Sequence, residues 1–197
     1  MDESFSRKYK KVLEILPDVT ACANGKLILA GGTALALFHL KHRISVDLDF
    51  IPVAGNEKKL KEELKGCLSK KGYRTAPAVF KNQFVVQFED TSIKVEVFVP
   101  DHKIKKVQKF VYGGAEMTVA SLDDLFQMKL ATYADRQEAR DLFDIFSILK
   151  KNGAGFGTLK KLLSTSGSPG NLEDIDAMAT NPDDAAEFRK VITDASS

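Results

Sequence analysis

The spacing of apolar residues along the chain changes several times, and each change marks an element. Residues 4–16 read as a short helix that Pro17 should stop. Residues 26–30 read as a buried strand and Gly31-Gly32 as a turn. Residues 33–42, rich in Ala and Leu, predict a helix that Thr33 is suited to cap. Residues 44–51 alternate strictly, with Val46, Leu48 and Phe50 on one face and Ser45, Asp47 and Asp49 on the other, so a strand is expected. In 57–71 the apolar positions Leu60, Leu64, Cys67 and Leu68 follow helical spacing, and Gly72 ends the helix.

Three antiparallel strands are then expected at 73–80, 83–88 and 92–99, with two shorter ones in 104–119 around Gly113-Gly114. Ser121 opens a helix, and Asp124 three residues on is its capping-box-like partner. Helices are expected at 122–135, 137–151, 156–165, 172–179 and 183–194, with Asn181-Pro182 as a helix start. The chain thus divides near residue 120. Residues 1–120 make an α/β core with a mixed sheet, and residues 121–197 a helical bundle that completes a cleft. The last helices are acidic and carry few large apolar residues.

Composition narrows the class without choosing a function. The 197 residues are 44% apolar and 28% charged, as in ordinary globular proteins. A net charge of +2 implies no nucleic-acid partner by itself. Lysines do crowd two segments, Lys58, Lys59, Lys61, Lys65, Lys70 and Lys71, then Lys103, Lys105, Lys106 and Lys109. These are either solvated faces or a basic rim that attracts phosphates or RNA. Cys22 and Cys67 have no ligand-like spacing and read as reduced thiols of a cytoplasmic protein. The longest apolar run, residues 27–38, contains Gly31-Gly32 and is too short to span a membrane. His39, His42 and His102 suggest no metal site.

Candidate chemistry concentrates between residues 29 and 50. Glycines let a backbone approach a ligand closely, and the helix after them offers unpaired N–H groups to an anion. Asp47 and Asp49, two apart on one strand face, could both reach a hard cation such as Mg²⁺. No Lys-Ser/Thr follows the glycines, so a Walker P-loop is excluded. Glu96 is a candidate third carboxylate. It shares the aspartates' sheet face if Val95 and Val97 enter the core with Val46 and Leu48. The other reading is an exposed Glu paired with a lysine. In the helical half, Lys129 falls in the middle of the apolar arc of Leu122, Leu125, Phe126, Leu130 and Tyr133. Asp141 likewise falls between Ile145 and Ile148. A lone buried charge is costly, so each should have a partner or a pocket. Either the two pair across their helices or both edge a nucleotide cleft.

The run Leu29-Ala30-Gly31-Gly32-Thr33-Ala34-Leu35, followed by His42-Arg43-Ile44-Ser45-Val46-Asp47-Leu48-Asp49-Phe50, resembles the first motif of the AbiEii/AbiGii toxin family. That family, related to the MenT toxins, belongs to the DNA polymerase β-like nucleotidyltransferases. The resemblance extends to Lys129-Leu130-Ala131, Arg136 and Arg140-Asp141-Leu142-Phe143-Asp144, and covers roughly residues 26–150. It implies that Gly31, Gly32 and Thr33 bind a triphosphate, with Arg43 and Ser45 beside them. It implies Mg²⁺ on Asp47 and Asp49. Lys129 would contact the triphosphate, and Asp141 would act as base or as orienter of a partner group. Arg136 and Arg140 would assist with phosphate or acceptor. Asp144, on the polar side of its helix, would be a helix-stabilising or supporting group. The implied activity is transfer of a nucleoside monophosphate from an NTP to an acceptor, possibly tRNA, by a toxin with a separately encoded antitoxin. Modification of a small hydroxylated molecule, or a non-catalytic nucleotide- or partner-binding module, are the other expectations.

Overall fold

A computed structural model describes residues 3–196. Seven strands form one mixed sheet in the order β3-β4-β5-β2-β1-β7-β6. They are β1 Leu27–Ala30, β2 Leu48–Pro52, β3 Arg74–Pro77, β4 Gln83–Gln87, β5 Ser92–Val97, β6 Val107–Tyr112 and β7 Ala115–Ala120. β1 lies antiparallel to β2 and parallel to β7, and β2 runs parallel to β5. The α/β expectation and the five-strand stretch after residue 72 therefore hold, with strands shorter at their ends than the sequence suggests.

Helix α1, Glu3–Ala23, runs through Pro17 instead of stopping there. Proline removes one backbone hydrogen bond and costs an interior helix about 3 kcal/mol. Val12, Ile15, Leu16 and Val19 are buried on both sides of it, and their burial offsets that cost. Helix α3, Glu57–Lys70, is capped by Asn56, whose side chain accepts from Lys59 N. Leu60, Leu64 and Leu68 of α3 share one core with the α1 residues and with Leu48, Phe50, Val95 and Val97 of the sheet.

Cys22 and Cys67 form a disulfide between α1 and α3, with Cα atoms 5.7 Å apart. The expectation of two reduced thiols is thereby corrected. Cys67 faces inward with Leu60, Leu64 and Leu68, so helical spacing aims it at α1, a proximity that the sequence separation of 45 conceals. No helix among the described residues is long and apolar enough to cross a membrane.

The segment after β1 also differs from expectation. Gly31–Ala34 forms a single α turn, α2, that continues as a π-helical stretch over Leu35–Leu40. Thr33 lies inside this helix and does not cap it; Ala30 holds the N-terminal position without a side-chain bond. Residues 44–47 lie outside β2, because their backbone bonds elsewhere. Ile44 N donates to Met178 O at 2.8 Å, and the Asp47 carbonyl accepts from the Thr33 hydroxyl.

The remaining helices are α4 Leu122–Arg136, α5 Ala139–Lys151, α6 Gly157–Ser166, α7 Glu173–Met178 and α8 Pro182–Ser196. Ser121 caps α4 by accepting from Asp124 N. The Asp124 carboxylate in turn accepts from Ser121, His102 and the backbone N–H groups of Lys105 and Lys106. A second core gathers Tyr133, Phe143, Phe146, Leu159, Ile175 and Phe188. Few large apolar residues occur in α7 and α8, but Ile175, Phe188 and Ile192 are all buried there.

Candidate active site

The two glycines after β1 bring backbone against carboxylate. Gly31 has a φ of +67°, a conformation that L side chains rarely adopt. A Cβ there would stand 2.1 Å from Asp49 Oδ2. A Cβ on Gly32 would stand 2.4 Å from Arg43 Nη2 and 2.9 Å from Ser45 Oγ. The turn is therefore packed directly on the side chains of the downstream segment. Both glycines line a cleft of about 270 Å³ together with Arg43, Ser45, Asp47, Asp49, Lys94 and Glu96. Lys129, Arg136 and Arg140 form its opposite wall.

Asp49, on β2, pairs in register with Glu96 on β5 and with Ala30 on β1. Parallel in-register pairing puts Asp49 and Glu96 on the same sheet face. Val95, Val97 and Leu48 point the other way and are fully buried. Burial pushes the Asp49 carboxyl up to about 6; Lys94 works against that rise, and the charges of Asp47 and Glu96 add to it.

Glu96 shares the aspartates' sheet face, as expected, and is not the lysine-paired surface residue of the other reading. It accepts from Asn82 Nδ2 at 2.6 Å and from Gln83 Nε2 at 2.9 Å, and among the described residues no lysine pairs with it. Lys94, two residues earlier, pairs instead with Asp47 Oδ2 at 3.3 Å, and Lys8 approaches Asp47 Oδ1 at 3.9 Å. Among the described residues, no three His, Cys, Asp or Glu side chains gather closely enough to hold an ion on their own. Asp47 and Asp49, with Glu96 beside them in the cleft, are the residues that could hold Mg²⁺, which commonly takes one or two carboxylates and fills its shell from phosphates and water.

Thr33 is 0% exposed and does not line the cleft. Its hydroxyl bonds Ser45 Oγ at 3.0 Å and the Asp47 carbonyl, so its side chain braces the aspartate segment from beneath.

Lys129 and Asp141 do pair, at 2.7 Å, and a third residue completes the arrangement. Asp144 Oδ2 lies 2.7 Å from Lys129 Nζ. Arg43 grips Asp144 through two nitrogens, at 2.5 and 2.8 Å, and His42 Nε2 bonds it at 2.6 Å. Asp141 also accepts from Arg136 Nε at 2.7 Å and Nη2 at 3.0 Å. Burial alone would raise both carboxyls. Arg43 and Lys129 nonetheless hold Asp144 well below the usual carboxylate range, and Lys129 and Arg136 lower Asp141. His42 is lowered, chiefly by burial, and its bond to Asp144 does not reverse this.

One expectation is corrected here. Asp144 is 0% exposed, because α5 is enclosed and the side of it that reads as polar meets Arg43 and His42 instead of water. Asp141 is also 0% exposed and lies behind Lys129 and Arg136, outside the cleft lining. Its bonds to Lys129 and Arg136 fit the orienter of the two expected roles.

Sequence reasoning missed the Lys94–Asp47 pair, the Asn82 and Gln83 clamp on Glu96, and the contribution of Phe5 and Met178 to the cleft. Only the position of Lys94, on the β5 face that carries Glu96, hinted at the first. Nothing local signals the others.

The model of the family described as "Nucleotidyl transferase AbiEii toxin, Type IV TA system" matches residues 15–195, beyond the 26–150 of the motif resemblance. Several solved structures share the fold. A protein from H. pylori described as a nucleotidyltransferase is 19% identical, with a TM-score of 0.53, over 100% of this chain and 96% of that chain. An antigenic nucleotidyltransferase-like protein from Paracoccidioides brasiliensis is 16% identical, with a TM-score of 0.55, over 93% of each chain. The antibiotic-resistance factor ANT(2'')-Ia is 12% identical, with a TM-score of 0.52, over 79% of this chain and 90% of that one. No curated protein matches.

Proposed function

Since the chain belongs to the AbiEii nucleotidyl transferase family and is a nucleotidyl transfer enzyme, we propose that it moves a nucleoside monophosphate from an NTP to a hydroxyl of an RNA acceptor such as the tRNA 3′ end. The observation that carries this reading is the contact of Gly31 with Asp49, which seats an anion-binding backbone turn and an acidic pair in one cleft. Asp47 and Asp49 are the residues that would hold Mg²⁺. When bound, that ion supplies charge neutralisation at the phosphates and lowers the barrier to attack at the α-phosphorus.

The chain's own residues do the positioning. Gly31 and Gly32 leave the backbone open to phosphate oxygens. Lys129 and Arg136, held by Asp141, present fixed positive charge from the opposite wall. Thr33 and Ser45 steady the Asp47 backbone. The acceptor hydroxyl gives up its proton to water, and its oxygen bonds to the α-phosphorus as the bond to pyrophosphate breaks. In the cell this activity acts as the toxin of a toxin–antitoxin pair, with a separate antitoxin as partner.

A second reading rests on a neighbouring cavity of about 490 Å³, which shares Phe5, Arg140 and Met178 with the cleft and adds Glu138, Asn171 and Asp174. The Asp174 carboxylate there, beside a Glu138 already paired with Arg140, favours a small cationic hydroxylated acceptor over a polyanion. Incubation with Mg²⁺, each α-labelled NTP and total RNA separates the readings. Label on RNA, lost in Asp49→Ala with the fold retained by circular dichroism, is the expected result. Full transfer by Asp49→Ala sinks the metal assignment, and label only on a small cationic molecule favours the second acceptor.

A further inference from the structure

Lys94 makes no contribution to the core and no bond to its neighbour Glu96, yet it lines the cleft. Its ammonium stands 3.3 Å from Asp47 Oδ2, and its charge also acts on Asp49. Lys8, 3.9 Å from the other Asp47 oxygen, is the more distant cation on this carboxylate, and the other cations that line the cleft are committed elsewhere. Arg43 and Lys129 are buried in the Asp144 network, Arg136 holds Asp141, and Arg140 lies 2.5 Å from Glu138. Glu96 is tied to Asn82 and Gln83. Lys94 is therefore the mobile charge of this sheet face: a flexible four-carbon stem, roughly one-third exposed, with a compact charge at its end.

Resting on the two-aspartate reading above, we propose that Lys94 is a stand-in cation that makes metal binding conditional on nucleotide. With the cleft empty, Lys94 neutralises Asp47. It opposes a divalent ion arriving alone, because like charges at this separation repel strongly in a partly buried site. A triphosphate brings several negative charges into the same cleft, and Lys94 moves from Asp47 to its oxygens. One side chain thus lowers affinity for the free ion and raises affinity for the metal–triphosphate complex. Linkage makes the effect reciprocal, so the ion and the triphosphate bind cooperatively through it. The enzyme then does not hold an idle metal.

The test is binding, not turnover. Mn²⁺ alone, followed by electron paramagnetic resonance, and the Mn²⁺ complex of inorganic triphosphate, followed by calorimetry, are titrated into the wild type, Lys94→Gln, Lys94→Arg and Asp49→Asn. For Lys94→Gln we expect Mn²⁺ alone to bind about tenfold tighter and the Mn²⁺–triphosphate complex about tenfold weaker. Lys94→Arg restores the wild-type pattern. If Lys94→Gln shifts both affinities the same way, or neither, the proposal is overturned while the metal reading stands. If Mn²⁺ binds equally to Asp49→Asn and wild type, the metal reading itself fails and Lys94's role with it.

Discussion

Gly31 and Asp49 are coupled by contact, so each can be tested through the other. In Gly31→Ala the new Cβ would collide with Asp49 Oδ2 in a backbone conformation that disfavours side chains. The backbone cost is about 1 kcal/mol. Displacing the carboxylate by an ångström should lower transfer by about 100-fold. A modest fall in melting temperature with near-total loss of turnover is the expected pair of measurements, and wild-type turnover contradicts the packing argument.

The raised pKa of Asp49 carries its own sign. A folded-state value of about 6 against an ordinary 3.8 means the native protein holds the extra proton between those values. Stability of the metal-free protein therefore falls as pH rises through about 6, by up to about 3 kcal/mol at neutrality. Asp49→Asn should raise the thermal midpoint at neutral pH, and the gain should shrink as pH drops below 6. A gain independent of pH would show that burial of the charge is not the cause.

The Cys22–Cys67 bond ties α1 to α3, the two helices that share a core with β2 and β5. Closing a loop of 45 residues restricts the unfolded chain by roughly 4 kcal/mol in the chain-entropy account. The double variant Cys22→Ser, Cys67→Ser should lose a large part of that in chemical denaturation, and reductant should produce the same loss in the wild type only. Helix α1 also reaches the cleft through Phe5 and Lys8, so its anchoring bears on the site as well as on the core.

Asp144 joins distant parts of the molecule. It receives Arg43 and His42 from the segment between the π turn and β2, and Lys129 from α4, while sitting on α5 itself. Backbone bonds from Ile44 to Met178 and from Thr180 to His42 close the same segment against the end of α7. The opposite wall of the cleft is thereby fixed to the aspartate segment. Asp144→Ala leaves buried Arg43 without its carboxylate and Lys129 with Asp141 alone, and should cost about 3–5 kcal/mol. It should also weaken triphosphate binding, because Arg43 and Lys129 both line the cleft. Unchanged denaturation would mean that Asp141 and water replace it without loss.

The order of elements, the Gly-Gly turn, the aspartate pair and the misplaced charges Lys129 and Asp141 were all legible in the chain. Each rests on local rules: period two or 3.6, the freedom of glycine, and the cost of a charge on an apolar face. What surrounds them was not legible, because partners distant in sequence set it. Pro17 reads as a stop until the burial of its neighbours outweighs a lost hydrogen bond. Asp144 reads as solvated until Arg43, His42 and Lys129 arrive from two other segments. Cys22 and Cys67 read as separate thiols until α1 and α3 pack. Asp47 and Asp49 were identifiable as a pair from spacing alone, whereas the Lys94 charge that faces them depends on the parallel pairing of β2 with β5. Periodicity acts between near neighbours; charge compensation acts through space, and only the packed sheet and helices bring those charges together.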